Sequence, residues 1–356
     1  MKKAFSILLA VILALCVLPF GAYAENEFDG KLNVVNYNVD GLPVPSFISS
    51  TGKNPIETAK EIGNQIGEMN VDILGVQEDF EFHSILKKHL GMTDCTYSNG
   101  GTGTGSGVNI FSSKELFNVG RESWTEAYGV FDAGSDELTP KGVVYATVDL
   151  GNGAYVDIYD CHIDAWSDPG SEYAKKCQYL QLMHLVNSHS GNNHAVIIMG
   201  DMNAYFSEQA GKFMKTAFVD ENGFKEAWVE ANIGGDYDTD KYAEKFGYAG
   251  RWGKWDSAEK IFYRSSNAVK LDVETSEYVY LKFDGDKDLS DHAAQLATLN
   301  YKINTEACKT EELKENKFNL FKFIIDFEIR LFKTIFIALK ALPGLISGET
   351  KILFLK

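Results

Sequence analysis

The feature that most constrains the fold is a set of short apolar runs, each bordered by a cluster of polar residues. These runs cover residues 32–35, 73–76, 154–161, 195–199 and 293–299. They have the length and composition of buried β-strands. The polar clusters are far apart in the sequence, so only a folded sheet could bring them together. The pattern therefore predicts an α/β protein whose polar clusters meet at one rim of a sheet.

The first residues have the form of an export signal. Two lysines precede an apolar run over residues 4–20, and residues 22–24 (Ala-Tyr-Ala) have the small-x-small form of a cleavage site. The run is short for a membrane span. We therefore predict a signal peptide at residues 1–24 and a secreted, extracellular mature chain.

The composition narrows the function classes only slightly. The chain has a formal charge of −16 at pH 7, and an acidic surface repels polyanions unless a bound metal or local basic groups reverse the field. A nucleic-acid substrate is therefore disfavoured but not excluded. Beyond the signal, an exported protein with four cysteines is expected to form one or two disulfides, with three possible full pairings that the sequence does not distinguish. These cysteines are Cys95, Cys161, Cys177 and Cys308.

Helices and further strands alternate between the apolar runs. Helices are predicted at residues 55–69, 80–90 and 172–188. Further strands are predicted at residues 108–112, 142–150, 261–264 and 278–283. Residues 98–107 are interpreted as a flexible glycine-rich loop and residues 234–256 as an irregular segment. Strands interleaved with helices predict two packed sheets with helices outside.

Glu78 is the strongest candidate for a metal ligand. It follows the apolar run at residues 73–76, and a carboxylate at the end of a buried strand needs a compensating cation. Mg²⁺ provides this compensation through oxygen ligands. Asn38 and Asp40 are two positions apart in an extended segment, so both lie on the same side of their strand. Either side chain could reach a phosphate oxygen or a metal-bound water.

Two further clusters offer acid–base and hydrogen-bonding groups. Asp201 and Asn203 repeat the two-residue spacing after an apolar run; the carboxylate can orient or deprotonate a water, and the amide can hold a phosphate. His292, beside Asp291, could donate a hydrogen bond to a phosphoryl oxygen as an imidazolium, because a neighbouring acid raises the pKa of a histidine. His162 is a second imidazole at a strand end.

Together these clusters resemble the motifs of the endonuclease/exonuclease/phosphatase superfamily, the DNase I-like metal-dependent phosphoesterases. The resemblance covers residues 32–301 and rests on five motifs in the order of the family. They are Tyr-Asn-Val-Asp-Gly at 37–41, Val-Gln-Glu at 76–78, Cys-His-Ile-Asp at 161–164, Met-Gly-Asp-Met-Asn at 199–203 and Ser-Asp-His at 290–292.

The resemblance implies a fold, a cofactor and a metal site. The fold is a four-layer α/β/β/α sandwich of two packed mixed sheets, which we expect over residues 25–301. The reaction is Mg²⁺-dependent hydrolysis of a phosphoester, with Mn²⁺ or Ca²⁺ as alternative cofactors. Glu78 would hold the metal, helped by Asp40 or Asp291.

The resemblance also implies catalytic roles, while the group that protonates the leaving oxygen stays open. Asp201 would position the attacking water. Asn38 and Asn203 would bind the phosphate. His162 and His292 would stabilise the transition state.

One position departs from the family pattern. The family often has an aspartate two residues before the isoleucine of an Asp-x-Ile-Phe strand, where it orients the final histidine. Glu259 occupies that position here. Its longer side chain could reach His292, and Asp256 is the alternative partner.

The C-terminal extension, residues 302–356, lies beyond the expected family domain and contains an amphipathic helix. Its polar residues form one narrow stripe, made of Lys322, Asp326, Arg330, Lys333 and Lys340. These charges argue against a membrane span. Peripheral contact with a membrane through residues 318–342 and packing of this helix onto the enzyme or a partner are equally consistent with the pattern.

Fold and motifs do not determine the phosphoester, and the oligomeric state stays open. Trp252 and Trp255 would suit a membrane interface or a substrate platform if exposed, and a core if buried. Export, an acidic chain and an apolar tail favour a phosphodiesterase acting on a sphingomyelin-like lipid. The alternatives are an extracellular endonuclease and a non-enzymatic binding module on the same fold.

Overall fold

Two mixed β-sheets form the centre of the computed structural model, which describes residues 28–43, 52, 54–246, 256–283 and 287–347. The predicted signal peptide and the tryptophans at 252 and 255 lie outside these residues. The strands in chain order are β1 (Gly30–Asn38), β2 (Ile73–Gln77), β3 (Asp94–Cys95), β4 (Asn109–Ser112), β5 (Leu116–Ser123), β6 (Gly142–Gly151), β7 (Ala154–His162), β8 (His194–Asp201), β9 (Lys225–Glu226), β10 (Glu259–Arg264), β11 (Val269–Val279), β12 (Lys282–Phe283), β13 (Lys287–Asp288) and β14 (Ala294–Ile303).

Helices cover the outer faces of the sheets. They are α1 (Pro55–Gly67), α2 (His83–Leu90), α3 (Pro169–His189), α4 (Gln209–Lys215), α5 (Ala227–Ile233), α6 (Thr239–Phe246) and α7 (Leu320–Ser347). The first sheet has the order β11-β14-β1-β2-β4-β3 and the second the order β5-β6-β7-β8-β10-β9, while β12 pairs with β13.

The packing confirms the predicted four layers. Leu32 and Val34 of β1 pack against Val156 and Ile158 of β7 in the core between the sheets. On the outer face of the first sheet, the β1 residues Val35 and Tyr37 pack in a second core with helices α1 and α2. A third core lies between the second sheet and helices α3 to α5. Because central strands bury both faces, they appear in the sequence as continuous apolar runs.

The strand directions explain why the polar clusters meet at one rim. Each sheet contains one parallel pair, β1 with β2 and β7 with β8, and the carboxyl ends of these pairs carry the polar motifs. Strands β10 and β14 are antiparallel to their neighbours and begin at the same rim. Glu259 at the start of β10 is opposite Asp201, and β14 begins two residues after His292.

The predicted elements differ from the structure in several places; the short strands β3, β9 and β13, most of β11 and the helices α4 and α5 were not predicted. The segment interpreted as irregular, 234–256, contains α6. The strand predicted at 278–283 is the end of β11 followed by the separate short β12. Strand β5 was not predicted, because it is partly exposed along most of its length and therefore has no apolar run.

The C-terminal extension contacts an edge strand of each sheet. Glu315 pairs with Phe117 of β5 in the second sheet, and the Asn316 side chain donates to the carbonyl of Cys95 in β3 of the first sheet at 2.9 Å. All four cysteines are free, so the expected disulfides are wrong. Cys95 and Cys161 cannot pair because they are buried in different core layers. None of the described helices is long and apolar enough to cross a bilayer.

Candidate active site

The side-chain amide of Asn38 is the centre of the site. Its Nδ2 donates to Glu78 Oε1 at 3.0 Å and to Asp201 Oδ2 at 3.0 Å, and lies 3.4 Å from His292 Nε2. The Ser290 hydroxyl donates to the Asn38 carbonyl at 2.7 Å. Three motifs from distant parts of the sequence are thus joined through one buried amide.

Glu78 is held in a tight turn directly after β2. Its φ is +60°, and a Cβ atom added to Gly41 would lie 2.3 Å from the Glu78 carbonyl oxygen. Burial raises the pKa of the Glu78 carboxyl, although the hydrogen bond from Asn38 and the charges of His292 and Lys141 oppose this shift. A carboxylate in this setting gains stability from a cation.

Asp201 is fixed through both of its oxygens. Oδ1 accepts from the backbone N–H of Asn203 at 2.9 Å, while Oδ2 accepts from Asn38. The Asn203 amide nitrogen donates to the Ile163 carbonyl at 2.9 Å. The amide nitrogen expected to bind phosphate therefore also holds the loop through one of its two N–H groups.

His292 forms a close pair with Glu259. Glu259 Oε1 contacts His292 Nδ1, and Ser257 Oγ donates to Glu259 Oε2. Burial lowers the pKa of His292, but the carboxylates of Glu259 and Asp201 outweigh burial and raise it well above its usual value. Burial alone would raise the pKa of Glu259, but the His292 charge and hydrogen bond lower it. The pair is therefore an imidazolium and a carboxylate.

The partner of His292 is Glu259 rather than Asp256, which was the alternative. Asp256 Oδ1 instead accepts from the buried Lys260 Nζ at 2.9 Å. The longer glutamate side chain thus makes the contact for which the family often uses an aspartate.

His162 is a further neighbour of the Asp201 carboxylate. Its Nε2 is 3.5 Å from Asp201 Oδ2, and among the described residues its buried Nδ1 has no hydrogen-bond partner. Burial and the nearby Lys141 charge lower the pKa of His162 well below its usual value. A neutral imidazole adds no positive charge, so the charge for transition-state stabilisation has to come mainly from His292.

The remaining predicted metal ligands, Asp40 and Asp291, flank this group. Asp291 Oδ1 lies 3.7 Å from His292 Nε2. The backbone N–H of Asp40 donates to Asn38 Oδ1 at 3.1 Å, and Asp40 lines a small cavity together with Thr58. Among the described residues, the ligand atoms of Glu78, Asp40 and Asp291 do not all lie within 4.8 Å of one another, although a desolvated Glu78 carboxylate is a setting that fits a hard divalent cation.

Another group of side chains is close enough to share a cation. Ligand atoms of Asp201, Glu259 and His292 lie within 4.8 Å of one another, the one such group among the residues described. An imidazolium has no free lone pair, so His292 cannot be a metal ligand while it is protonated. The group could therefore hold a cation through its two carboxylates or donate a hydrogen bond to a substrate through His292.

Two lysines that the sequence did not reveal support the site. Lys175 on α3 is buried and donates to the Asn203 carbonyl at 2.7 Å. Lys141 pairs with Asp136 at 2.5 Å. Its charge lowers the pKa of both Glu78 and His162. Neither lysine lies in a strand-end cluster, so no local signal could identify it.

The sequence model of the Endonuclease/Exonuclease/phosphatase family matches residues 35–266. The chain belongs to this family. The match includes Asn38, Glu78, His162 and Asp201 but ends before His292. Members of this family are phosphoric ester hydrolases. No curated protein matches the chain in sequence.

Solved structures share the fold at low sequence identity. TDP2 from D. rerio, complexed with single-strand DNA product, is 16% identical with a TM-score of 0.54 and covers 76% of this chain and 100% of that chain. Sphingomyelinase C from Streptomyces griseocarneus is 17% identical with a TM-score of 0.51, covering 76% and 99%. A mutant of beta toxin from Staphylococcus aureus with bound magnesium ions is 18% identical with a TM-score of 0.52, covering 75% and 99%.

Proposed function

We propose that this chain is a secreted, metal-assisted phosphodiesterase that acts on a sphingomyelin-like phospholipid. The observation that carries the proposal is the Asn38 amide, which donates to Glu78 and Asp201 and lies beside the protonated His292. A carboxylate for the metal, a carboxylate for water and a cationic hydrogen-bond donor are the groups that phosphoester hydrolysis needs.

Each side chain has a role that follows from its contacts. Asp201, held at both oxygens, accepts the proton of the attacking water or orients it. His292 donates its Nε2–H to a phosphoryl oxygen as negative charge develops there, while Glu259 keeps the ring charged and oriented. His162 Nε2 lies 3.5 Å from Asp201 Oδ2, the oxygen that also accepts from Asn38.

The metal would be held by Glu78 with Asp291 and Asp40. Mg²⁺, or Mn²⁺ or Ca²⁺ in its place, would polarise the phosphoryl oxygens of the substrate. Asn38 orients the Glu78 carboxylate for this task, because its amide nitrogen occupies one of the two carboxylate oxygens.

Charge supports a lipid over a nucleic acid as the substrate. A nuclease holds several backbone phosphates through exposed basic side chains, whereas beside this site Lys175 is buried, Lys141 is mostly buried, and both are paired with acids. The fold is shared with a sphingomyelinase and with a DNA-bound TDP2, so an extracellular endonuclease is the second candidate. A non-enzymatic binding module would have no use for the Glu259–His292 pair.

The test is Mg²⁺-dependent hydrolysis of sphingomyelin vesicles, phosphatidylinositol phosphates and plasmid DNA in parallel. We expect turnover of sphingomyelin that falls about 100-fold or more in Glu78→Gln and in Asp201→Asn. Glu277→Gln is the matched control, because it removes an exposed carboxylate of β11 that lies outside all of these motifs.

Each other outcome decides against part of the proposal. Cleavage of DNA with inert lipids would make the chain a nuclease. Activity that survives in both site variants would exclude the proposed site, and no activity on any phosphoester would favour the binding module. Export has its own test, since the mass of protein recovered from the culture medium should correspond to a chain that begins at Glu25.

A further inference from the structure

Helix α7 is attached to the body through its polar side chains. Arg330 Nε donates to the Thr104 carbonyl at 2.7 Å, and Arg330 Nη2 donates to the Asn99 carbonyl at 2.5 Å. Thr334 Oγ1 donates to the Gly103 carbonyl at 3.0 Å. All three acceptors belong to the glycine-rich loop at residues 98–107. The central part of the polar stripe therefore faces this loop.

Because the polar contacts face inward, the apolar side of α7 faces outward. None of its 28 residues is buried, and Phe321, Phe332 and Phe336 are 76%, 71% and 68% exposed. The other exposed large apolar residues of the helix are Leu320, Ile324, Ile325, Ile329, Ile335, Leu339, Leu342 and Ile346. Such a continuous apolar surface is far larger than a water-facing helix normally has, so it marks an interaction surface.

The charges on the exposed side of α7 favour an anionic partner. Lys333 and Lys340 are exposed beside the apolar residues, as are Glu328 and Lys322, and Lys322 is paired with Asp326. The whole chain is acidic, so this basic helix contrasts with the rest of its surface. Lysines beside an apolar face can extend to lipid phosphates while their stems stay among apolar groups. The same excess of positive charge repels a second copy of this face.

We propose that the outward apolar face of α7 docks onto the surface of an anionic lipid bilayer. The helix would lie in the interface plane, with its phenylalanines in the outer acyl region and its lysines at the headgroups. The proposal goes beyond the phosphodiesterase function, because binding to a bilayer does not require catalysis.

The docked helix would also lie close to the candidate active site. The loop that holds α7 is joined to the Glu78 turn, since the N–H of Asp79 donates to the Gly107 carbonyl at 2.9 Å. In the same loop, the N–H of Thr102 donates to Glu81 Oε1 at 2.9 Å. Arg330 and Lys141 line the same cavity. The charge of Lys141 lowers the pKa of the Glu78 carboxyl.

The experiment measures cosedimentation of the full chain with two kinds of vesicle, pure phosphatidylcholine and phosphatidylcholine mixed with phosphatidylglycerol. We expect binding to the mixed vesicles that weakens about tenfold or more in the triple variant Phe321→Gln/Phe332→Gln/Phe336→Gln. Glutamine keeps helix propensity, and all three positions are exposed, so folding should not change. Lys333→Gln/Lys340→Gln should remove the preference for the anionic vesicles.

The matched control is Tyr173→Gln/Leu180→Gln, which removes two side chains of α3 that are 64% and 50% exposed. This variant should bind vesicles as the unaltered chain does. Equal binding by the triple variant, or no vesicle binding by the unaltered chain, would overturn the proposal. A dimer in sedimentation equilibrium that the triple variant disperses, with no vesicle binding, would assign the face to a second copy. If the unaltered chain binds vesicles but hydrolyses none of the phosphoesters, the proposed enzyme function is wrong and the docking proposal stands.

Discussion

Glu259 and His292 are the most closely coupled side chains of the site, and their coupling can be measured. Replacing Glu259 with glutamine removes the carboxylate that keeps His292 charged and oriented. We expect kcat to fall about 100-fold or more in Glu259→Gln and in His292→Ala. The measurement is kcat on the substrate found in the parallel assay.

The decisive variant is the double one, Glu259→Gln/His292→Ala. If Glu259 acts only through His292, the double variant should be about as slow as His292→Ala alone. Losses that multiply would contradict this coupling. Glu277→Gln should have unaltered kcat, which controls for removal of a carboxylate as such.

A second histidine, His83, is expected to make stability depend on pH. Its Nδ1 lies 2.5 Å from Asp79 Oδ2. Burial lowers the pKa of His83, but the Asp79 carboxylate outweighs burial and raises the pKa to about 9. The folded pKa is thus above the unfolded value of about 6.5. The stabilisation is therefore fully present below about pH 6.5 and is lost as the pH rises through about 9.

The corresponding measurement is urea unfolding of the unaltered chain and of His83→Gln at about pH 6 and about pH 9.5. The difference in unfolding free energy between the two proteins should shrink by about 3 kcal/mol from the lower to the higher pH. A difference that does not change with pH would mean that His83 is not an imidazolium in the fold.

At the residue scale, the site residues that could be predicted from the sequence are those at the ends of strands. Asn38, Glu78, Asp201 and His292 follow or precede apolar runs, so their type and position were visible in the sequence. Their charge states were not, because the pKa of His162 depends on burial and on Lys141, which approaches from a distant loop. Their catalytic roles stay predictions.

At the scale of elements, the turn after β1 and the turn after β2 are packed against each other at Gly41. A Cβ added there would lie 2.3 Å from the Glu78 carbonyl, and that atom is backbone and cannot rotate away. In Gly41→Ala we therefore expect the Glu78 turn to shift, with activity reduced about tenfold or more and the midpoint for Mg²⁺ moved to higher concentration.

The stability cost of the same substitution should be modest, about 1 to 3 kcal/mol, because only one local contact is disturbed. Gly191→Ala is the matched control, since a Cβ there meets nothing within 4 Å. Activity unchanged in Gly41→Ala would show that the site tolerates movement of this turn.

Helix α7 shows what an amphipathic pattern can and cannot predict. The existence of the helix followed from the spacing of its polar residues, and the structure places it at Leu320–Ser347. Its orientation did not follow, because the carbonyl acceptors for Arg330 and Thr334 belong to a loop more than 200 residues earlier in the chain. A polar stripe can face either water or a polar protein surface, and periodicity alone does not distinguish them.

At the scale of the whole molecule, the layer order was predictable because the central strands are apolar on both faces. The pairing of β1 with β14 joins segments at opposite ends of the domain, and no local pattern in the sequence predicts it. The edge strands of the sheets were the part of the fold that the sequence predicted least well. Strand β5 is partly exposed, and the part of the extension that pairs with it, at Glu315, has no apolar run.

The proposed metal should stabilise the whole fold, because it binds the folded site and not the unfolded chain. At a Mg²⁺ concentration 100 times the Kd, the expected gain is about 2.7 kcal/mol, or a rise in Tm of about 5 °C for a domain of this size. The measurement is thermal unfolding of the unaltered chain with EDTA and with increasing Mg²⁺.

Glu78→Gln should have a Tm that Mg²⁺ raises by much less, because the principal carboxylate is missing. Glu277→Gln should respond to Mg²⁺ as the unaltered chain does, since its carboxylate is exposed on β11. An equal rise in Tm for all three proteins would place the stabilising ion at another site, whereas no rise in the unaltered chain would contradict a metal site at Glu78.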